Sequence, residues 1–365
     1  MHYVEPVSPQ LINELQSLGL RLEHDSVADR RGGAGPSDHK AVNIGGKTVM
    51  VPVATVTASS SPFVAAQPDA HGISVIRHGE RALAKIAFPR QPRFYRLQTL
   101  DGVPYSHIAT LHAADVLATT LLQSCIRYNN RQKSCQFCAI GQSLAAGKTI
   151  LRKTPQQLAE VARAAVLLDK VQHMVMTTGT PNATDRGAAI LCESARAVKA
   201  AVDLPIQGQC EPPDQDSWFE RMKTSGIDSL GMHLEAVTPE VRARIMPGKA
   251  AVPLTRYMDA FDVAVAVFGR GEVSTYILAG LGDTIEAILS VCEQLTGKGV
   301  YPFVVPFVPI VGTPLEHHPS PDPRFMQDIL QPLGAMLKQA GLHSADLKAG
   351  CAKCGACSAL SAYEV

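Results

Sequence analysis

With 365 residues, 46% of them hydrophobic, the chain is long enough for two domains, or for one barrel with an appendage, around a sizeable core. A net charge of +1 and few aromatics, with no basic stripe among them, give no electrostatic reason to bind nucleic acid or an acidic membrane. No apolar run reaches about 18 residues, so no transmembrane helix is expected, and the first residues lack the positive-then-apolar order of an export signal, which predicts a cytoplasmic protein.

Residues 8–20 predict a short amphipathic helix with Ser8 as its cap and Pro9 in its first turn. The Gly-rich break at 30–40, RRGGAGPSDHK, has neither a Lys-Ser/Thr ending nor a preceding strand, so it reads as a connector and not as a phosphate loop. Between 47 and 106 the runs TVMVPVATV, ISVIR and FYRLQTL, with a turn at Asp101-Gly102, predict strands. They make a small, mainly-β N-terminal domain over residues 1–110.

From Val116 the pattern becomes strand and helix in alternation. Strands are expected at 116–123, 171–178, 204–211, 227–235, 273–279 and 301–308, and helices at 154–168, 185–201, 216–224, 254–268 and 284–296. Six strands with helical crossovers imply a parallel sheet curled into a partial barrel. The fold class is therefore α/β, a partial (β/α)6 barrel over 111–335, followed by a Cys-rich tail at 336–365.

Six of the nine cysteines fall in two groups of three, a pattern of metal ligands more than of disulfides. The first group, Cys125, Cys135 and Cys138 in LLQSCIRYNNRQKSCQFCAIG, has a Cx9CxxC spacing, and Phe137 stands before its last member. Two thiolates two residues apart close on one metal centre without straining the backbone. A third decides its kind: zinc wants four closed ligands, here completed by a distant His, whereas three thiolates on a four-iron cluster leave one iron open. The loop joins a strand to a helix, at the strand's carboxyl end, where α/β barrels keep their active sites. In the tail, Cys351, Cys354 and Cys357 form a CxxCxxC triplet able to share a second cluster, to hold zinc with an added His, or to remain plain thiols. Cys192, Cys210 and Cys292 stand alone and read as small core residues.

With three cysteines on the loop after the first barrel strand and an aromatic before the last, the chain resembles the radical S-adenosylmethionine (SAM) superfamily. It departs in the first spacing, nine residues against three in most members. GMHLEAV resembles the Asn-Leu-Asp and Asn-Leu-Glu strand ends of biotin and lipoyl synthases. YILAGLGDTIE is similar to the family's GxIxGxxE, with Tyr276, Leu278 and Asp283 at the Gly, Ile and Glu positions, and PFVPIVGTPLE at 306–316 is similar to biotin synthase. The nearest resemblance is to the uncharacterised radical SAM proteins of nitrilase-linked gene clusters.

The resemblance implies a SAM-binding [4Fe-4S] cluster on Cys125, Cys135 and Cys138. It implies cleavage of SAM to methionine and a 5'-deoxyadenosyl radical, and hydrogen abstraction from a small substrate. It also implies an electron donor such as flavodoxin or ferredoxin. Thr178, Gly179 and Thr180, at the end of the second strand, fall where members hold the SAM ammonium, or form an ordinary turn. His233 and Glu235 share a face of the fourth strand, with Glu235 as ribose ligand and His233 as a second ligand or a satisfied core histidine. Arg256 is the candidate grip for the SAM carboxylate, with Arg242 and Arg244 as rivals and a surface arginine as the plain reading. Gly280 and Gly282 let the backbone pass beneath an adenine, and Asp283 is expected to cap the next helix. A tail [4Fe-4S] cluster would serve as sulfur donor, electron relay or substrate holder. The alternative from another class is a zinc-stabilised barrel that binds a small ligand without catalysis.

Overall fold

The computed structural model describes residues 7–23 and 39–364; most of the Gly-rich break lies outside the described residues. Helix α1 (Pro9–Leu18) begins as its sequence predicts: the Ser8 hydroxyl accepts the N–H of Leu11, and Pro9 occupies the first turn, where its missing N–H costs nothing. Six strands follow, β1 (Arg21–Leu22), β2 (His39–Ile44), β3 (Lys47–Pro52), β4 (Phe63–Ala65), β5 (Ile73–His78) and β6 (Arg81–Ala87), in the spatial order β1-β4-β5-β6-β2-β3. The β2–β3 hairpin turns through Gly45 and Gly46, both at positive φ, which a two-residue hairpin of this hand requires. The FYRLQTL run is not a strand. It starts as a 3-10 turn, Arg93–Arg96, because the Asp169 carboxylate accepts the N–H groups of Arg93 and Phe94, both at 2.9 Å, which removes those donors from any ladder.

The second sheet holds β7 (Thr110–His112), β8 (Val116–Thr120), β9 (His173–Thr177), β10 (Ile206–Gln209), β11 (Ser229–Gly231), β12 (Val273–Ala279) and β13 (Val300–Pro306), in the order β13-β12-β11-β10-β9-β8-β7. Strands β8 to β13 are parallel neighbours in chain order, and β7 pairs antiparallel with β8 at one edge. The crossovers run through α2 (Pro155–Asp169), α3 (Ala188–Ala201), α4 (Ser217–Thr224), α5 (Pro239–Ile245), α6 (Leu254–Phe268) and α7 (Ile285–Lys298), and α8 (Pro323–Ala340) follows β13. One-way winding in chain order curls the sheet into a half-barrel, the α/β partial barrel expected from the alternation. β13 is buried along its whole length, as a strand covered on both faces must be.

One apolar core runs without a break from Leu15 and Val42 through Leu117, Ile206 and Ile277 to Leu333 and Leu360, joining the N-terminal sheet, the barrel and the tail. The tail crosses the amino ends of the strands. Lys348 N–H reaches the Glu272 carboxylate at 3.3 Å, Gly350 N–H reaches His173 Nδ1 at 3.3 Å, and the Ser358 hydroxyl donates to Val304 O at 2.6 Å. Glu364 is held by the Tyr301 hydroxyl and by the Ser344 N–H at 3.0 Å. The two ends of the barrel are thus built differently: loops at the carboxyl end, the tail at the amino end. Among the described residues no helix is long and apolar enough to cross a membrane.

Candidate functional site

The loop that carries Cys125, Cys135 and Cys138 leaves the carboxyl end of β8 and is pinned to the end of β9. Leu121 N–H donates to Thr177 O at 2.8 Å, Gly179 N–H to Leu122 O at 3.0 Å, and Ile126 N–H to Thr180 O at 3.0 Å. The returning strand of the loop is fixed by Lys153, whose buried ammonium donates to the Thr149 hydroxyl, the Gln123 amide oxygen and Ile150 O. A capping box between Thr154 and Gln157 then starts α2. Thr178, Gly179 and Thr180 thus hold the cysteine loop in place, and Gly179 is demanded by packing, since a side chain there would collide with Ser124. The Thr178 hydroxyl donates to Gly179 O at 2.9 Å, and the Thr180 hydroxyl donates to Glu211 Oε1 at 2.6 Å.

All three loop cysteines face a cavity of about 430 Å³ in the barrel lumen, and so do Cys351, Cys354 and Cys357 of the tail. Each trio has its own apolar surround. Cys135 and Phe137 pack on Ala236, Ile245, Leu281 and Phe307, whereas the tail cysteines pack on Met50, Val116, Val175 and Ala356. Burial pushes the Cys138 thiol up to about 11 and Cys135 well above its ordinary value; Cys125 and Glu235 add to the rise at Cys138, and Lys249 opposes it. In the tail, burial raises Cys351 to about 11, offset by a hydrogen bond from Gln209, and raises Cys354 to about 12. Within the tail trio, Cys351 and Cys354 add to the rise at Cys357. Among the described residues no group of three or more His, Cys, Asp or Glu is gathered so as to hold a metal ion; both trios line the one cavity.

Two largely buried ion pairs line the same cavity. Arg127, two residues past Cys125, pairs with Glu211 at the end of β10. Lys249, in a single helical turn at Pro247–Ala250, pairs with Glu235 at 2.8 Å. Burial alone would raise the Glu211 carboxyl, but the charges of Lys249 and Arg127 win and hold it below its ordinary value. Burial likewise works against the Lys249 ammonium, and Glu235, Tyr257 and Glu211 together overcome it, so Lys249 stays charged. Glu211 Oε2 is buried with no hydrogen-bond partner among the described residues. An orphan carboxylate oxygen facing a cavity is a place for a ligand donor.

Glu235 and His233 reach the cavity by a route the alternation did not foresee. The expected strand over 227–235 pairs as a strand only at Ser229–Gly231. Beyond it, side chains replace backbone partners: Leu234 N–H donates to the Thr275 hydroxyl at 2.9 Å and Tyr276 N–H to His233 Nδ1 at 3.1 Å. Glu235 rejoins the ladder opposite Ile277 with φ at 65°, a left-handed conformation that costs a long side chain energy and that concentrates at binding sites. With Nδ1 accepting, the His233 proton sits on Nε2. Burial and the Lys249 charge lower its pKa to about 3, so the ring is neutral.

Three expectations are corrected. Arg256 does not line the cavity; its guanidinium is taken by Pro213 O and by Asp216 at 2.6 Å, in the segment that leads from β10 to α4. Its rivals are also engaged: buried Arg242 donates to Leu234 O and Val252 O, and Arg244 to Leu281 O. Gly280 and Gly282 lie outside the cavity lining, and their positive φ angles serve close packing against Pro321 and Arg244. Thr284, not Asp283, caps α7; Asp283 instead accepts the N–H groups of Val237 and Thr238 and so ties β12 to the segment after Glu235. Cys192, Cys210 and Cys292 are buried in the core, and Cys210 also touches the cavity.

Arg127, Glu211 and Lys249 were not expected from the sequence. One signal was available for Arg127: residues 116–159 contain six Lys or Arg and no Asp or Glu, so the cysteine loop had to find a carboxylate elsewhere.

A family model of the radical SAM superfamily matches residues 129–295. The chain is similar to the bacteriochlorophyllide c C-7(1)-hydroxylase of Chlorobaculum limnaeum, 27% identical over 213 residues, which covers 53% of this chain and 53% of that one. It is also similar to the lipoyl synthase of Geobacillus sp. (strain WCH70), 26% identical over 175 residues, or 46% of this chain and 54% of that one. The chain spans about half the length of the curated relatives it matches. Among solved structures, methylornithine synthase (PylB) aligns with a TM-score of 0.48 and 17% identity over 70% of this chain and 74% of that one. The matched residues run through β9, β10, β11 and β12 and include the cavity-lining Val175, Gln209, Tyr276 and Leu278, so the stretch that holds the cavity is similar to the radical SAM superfamily.

Proposed function

We propose that the chain is a radical SAM enzyme: it binds a [4Fe-4S] cluster through Cys125, Cys135 and Cys138, holds SAM beside it, and acts on a small substrate in the lumen between that cluster and a second iron-sulfur centre on Cys351, Cys354 and Cys357. The observation that carries this reading is that both trios face one cavity. The residues fit the groups. Three partly buried thiols are a donor set for a cationic centre, and Arg127 and Lys249 supply positive charge beside them. Three protein ligands leave one iron free.

When bound, the cluster and SAM supply one-electron reductive cleavage of the sulfonium and, with it, hydrogen-atom abstraction from a substrate carbon. The chain's own residues prepare that event. Arg127 and Lys249 are the cations for the SAM carboxylate, and the free oxygen of Glu211 takes its ammonium. Glu235, turned into the lumen by its left-handed backbone, takes the ribose hydroxyls, and the His233 Nε2–H is a further donor on the same wall. Val175, Leu278, Val305 and Phe307 present apolar surface that keeps water from a reactive carbon. A cytoplasmic electron donor such as flavodoxin or ferredoxin completes the proposal.

Anaerobic reconstitution followed by iron and sulfide counting tests it. About eight irons per chain are expected from two four-iron centres. Stoichiometric zinc without labile sulfide would replace this reading with the non-catalytic barrel. Cys138→Ala is expected to abolish 5'-deoxyadenosine formation, and Cys357→Ala to spare it while blocking product formation. Parent-rate 5'-deoxyadenosine from Cys138→Ala would overturn the first centre.

A further inference from the structure

The cysteine loop is lopsided in charge. Residues 116–159 hold six Lys or Arg and no Asp or Glu, in a chain whose net charge is +1. Two of the six are used inside: Arg127 pairs with Glu211, and Lys153 ties the returning arm of the loop. The other four, Arg131, Lys133, Lys148 and Arg152, are exposed, and among the described residues none of their side chains has an ion-pair or hydrogen-bond partner.

The same loop shows apolar surface. Ile126, the residue after Cys125, is 51% exposed, and Leu151 is 50% exposed. The two arms of the loop are held together by their backbones: Gln123 N–H donates to Leu151 O at 2.8 Å, Lys153 N–H donates to Leu121 O at 3.0 Å, and Leu122 stands opposite Arg152. Leu151 and Arg152 therefore lie alongside the arm that leads into Cys125. Exposed aliphatic side chains beside unpaired cations are the makings of a protein docking patch, with apolar contact for affinity and charge for steering. Nucleic acid wants a stacking surface, and the two aromatic rings of this loop, Tyr128 and Phe137, line the cavity instead. A second copy of the chain would set like charges against one another.

We propose that this exposed side of the cysteine loop is the docking surface for an acidic one-electron carrier protein; the inference rests on the reading of the loop as the SAM-cleaving centre. The carrier is oxidised by one electron and the loop centre is reduced by one. The placement suits that task. Ile126 follows Cys125 directly, and consecutive Cα atoms are about 3.8 Å apart, so a carrier seated on Ile126 stands next to a cysteine that faces the cavity. The four cations act over roughly 8 Å at physiological salt, which guides an acidic partner before contact is made.

The test uses the full reconstituted chain, with purified flavodoxin as the acidic carrier. Calorimetry is expected to show binding that weakens as salt is raised. The double variants Arg131→Glu with Lys133→Glu, and Lys148→Glu with Arg152→Glu, are each expected to weaken it about tenfold or more and to slow 5'-deoxyadenosine formation driven by reduced flavodoxin. With dithionite, which needs no docking, both are expected to run at the parent rate. The control Arg81→Glu with Lys85→Glu makes the same charge change at exposed positions of β6 and is expected to bind flavodoxin as the parent does. Parent-level flavodoxin binding in either loop variant, an equal loss in the control, or a matching loss of the dithionite-driven rate would overturn the docking surface. So would displacement of flavodoxin by a tighter-binding single-stranded RNA oligonucleotide. If dithionite yields no 5'-deoxyadenosine from the parent, the enzyme reading falls, while the binding measurement, which needs no turnover, still decides the docking surface.

Discussion

Gly179 lies so close under Ser124 that a Cβ at position 179 would stand 1.9 Å from the Ser124 carbonyl oxygen. The partner is backbone and has no rotamer to change, so the clash must move either the end of β9 or the residue before Cys125. Gly179→Ala is expected to cost about 1–3 kcal/mol of stability, as overpacked sites do, and to lower the iron content of reconstituted protein further than that cost explains. Metal analysis beside a urea melt checks it. An alanine variant with full iron would show that the loop can slide without harm to the cluster site.

The corrected position of Arg256 gives a contrast between two arginines. Arg127→Met leaves Glu211 buried beside a lost partner, a change that typically costs about 3–5 kcal/mol, and it is expected to abolish SAM binding measured by calorimetry on the reconstituted protein. Arg256→Ala breaks a pair whose Asp216 side is half in water, expected to cost about 0–1 kcal/mol, with SAM affinity unchanged. Equal losses of affinity in both variants would return Arg256 to the site.

His173 makes the hold on the tail depend on pH. Burial, with help from the Lys353 charge, lowers its pKa to about 4, and its neutral Nδ1 accepts the Gly350 N–H. Because the folded value lies below the ordinary histidine value of 6.5, this contribution is complete above about pH 6.5 and is lost as the pH falls from there toward 4. The loss runs at about 1.4 kcal/mol per pH unit. The urea midpoint of the parent is expected to fall over that window more steeply than that of His173→Gln. Parallel slopes would show that the imidazole stays neutral without consequence.

Asp283→Ala is expected to do more damage than Thr284→Ala. The threonine is an N-cap, whose removal typically costs about 1 kcal/mol. The aspartate is buried and satisfies two backbone N–H groups beyond Glu235, so its loss orphans both. Chemical denaturation of the two variants, with SAM affinity as second readout, separates the roles. A larger loss in Thr284→Ala would restore Asp283 to an ordinary turn residue.

How far the sequence could be read depended on whether a feature is local. The α6 helix and β12 strand fall where apolar spacing put them, because each period is set by its own segment. The cysteine trios were legible from spacing for the same reason. The Arg127–Glu211 pair was not: its members are 84 residues apart and meet only because β10 lies next but one to β8 in the sheet. Strand β11 was read too long because the residues after it have strand-like side chains, but Leu234 N–H donates to the Thr275 hydroxyl and the His233 ring takes the Tyr276 N–H. Arg256 shows the reverse failure, a charge visible in the chain whose partner, Asp216, is visible only in space.

The Gln16 side chain donates to the carbonyl of Ala356, a link across 340 residues, and Met50 N–H reaches the same oxygen at 2.8 Å. Contacts of such separation form slowly, since the entropy of closing so long a loop must be met first. The amino-terminal sheet, the wound barrel and the last turn of chain therefore meet through contacts that close very long loops, at the very wall that carries Cys357. An inorganic centre seated there would act as a clasp on a finished molecule, and its loss would be felt as loosening at both chain ends at once.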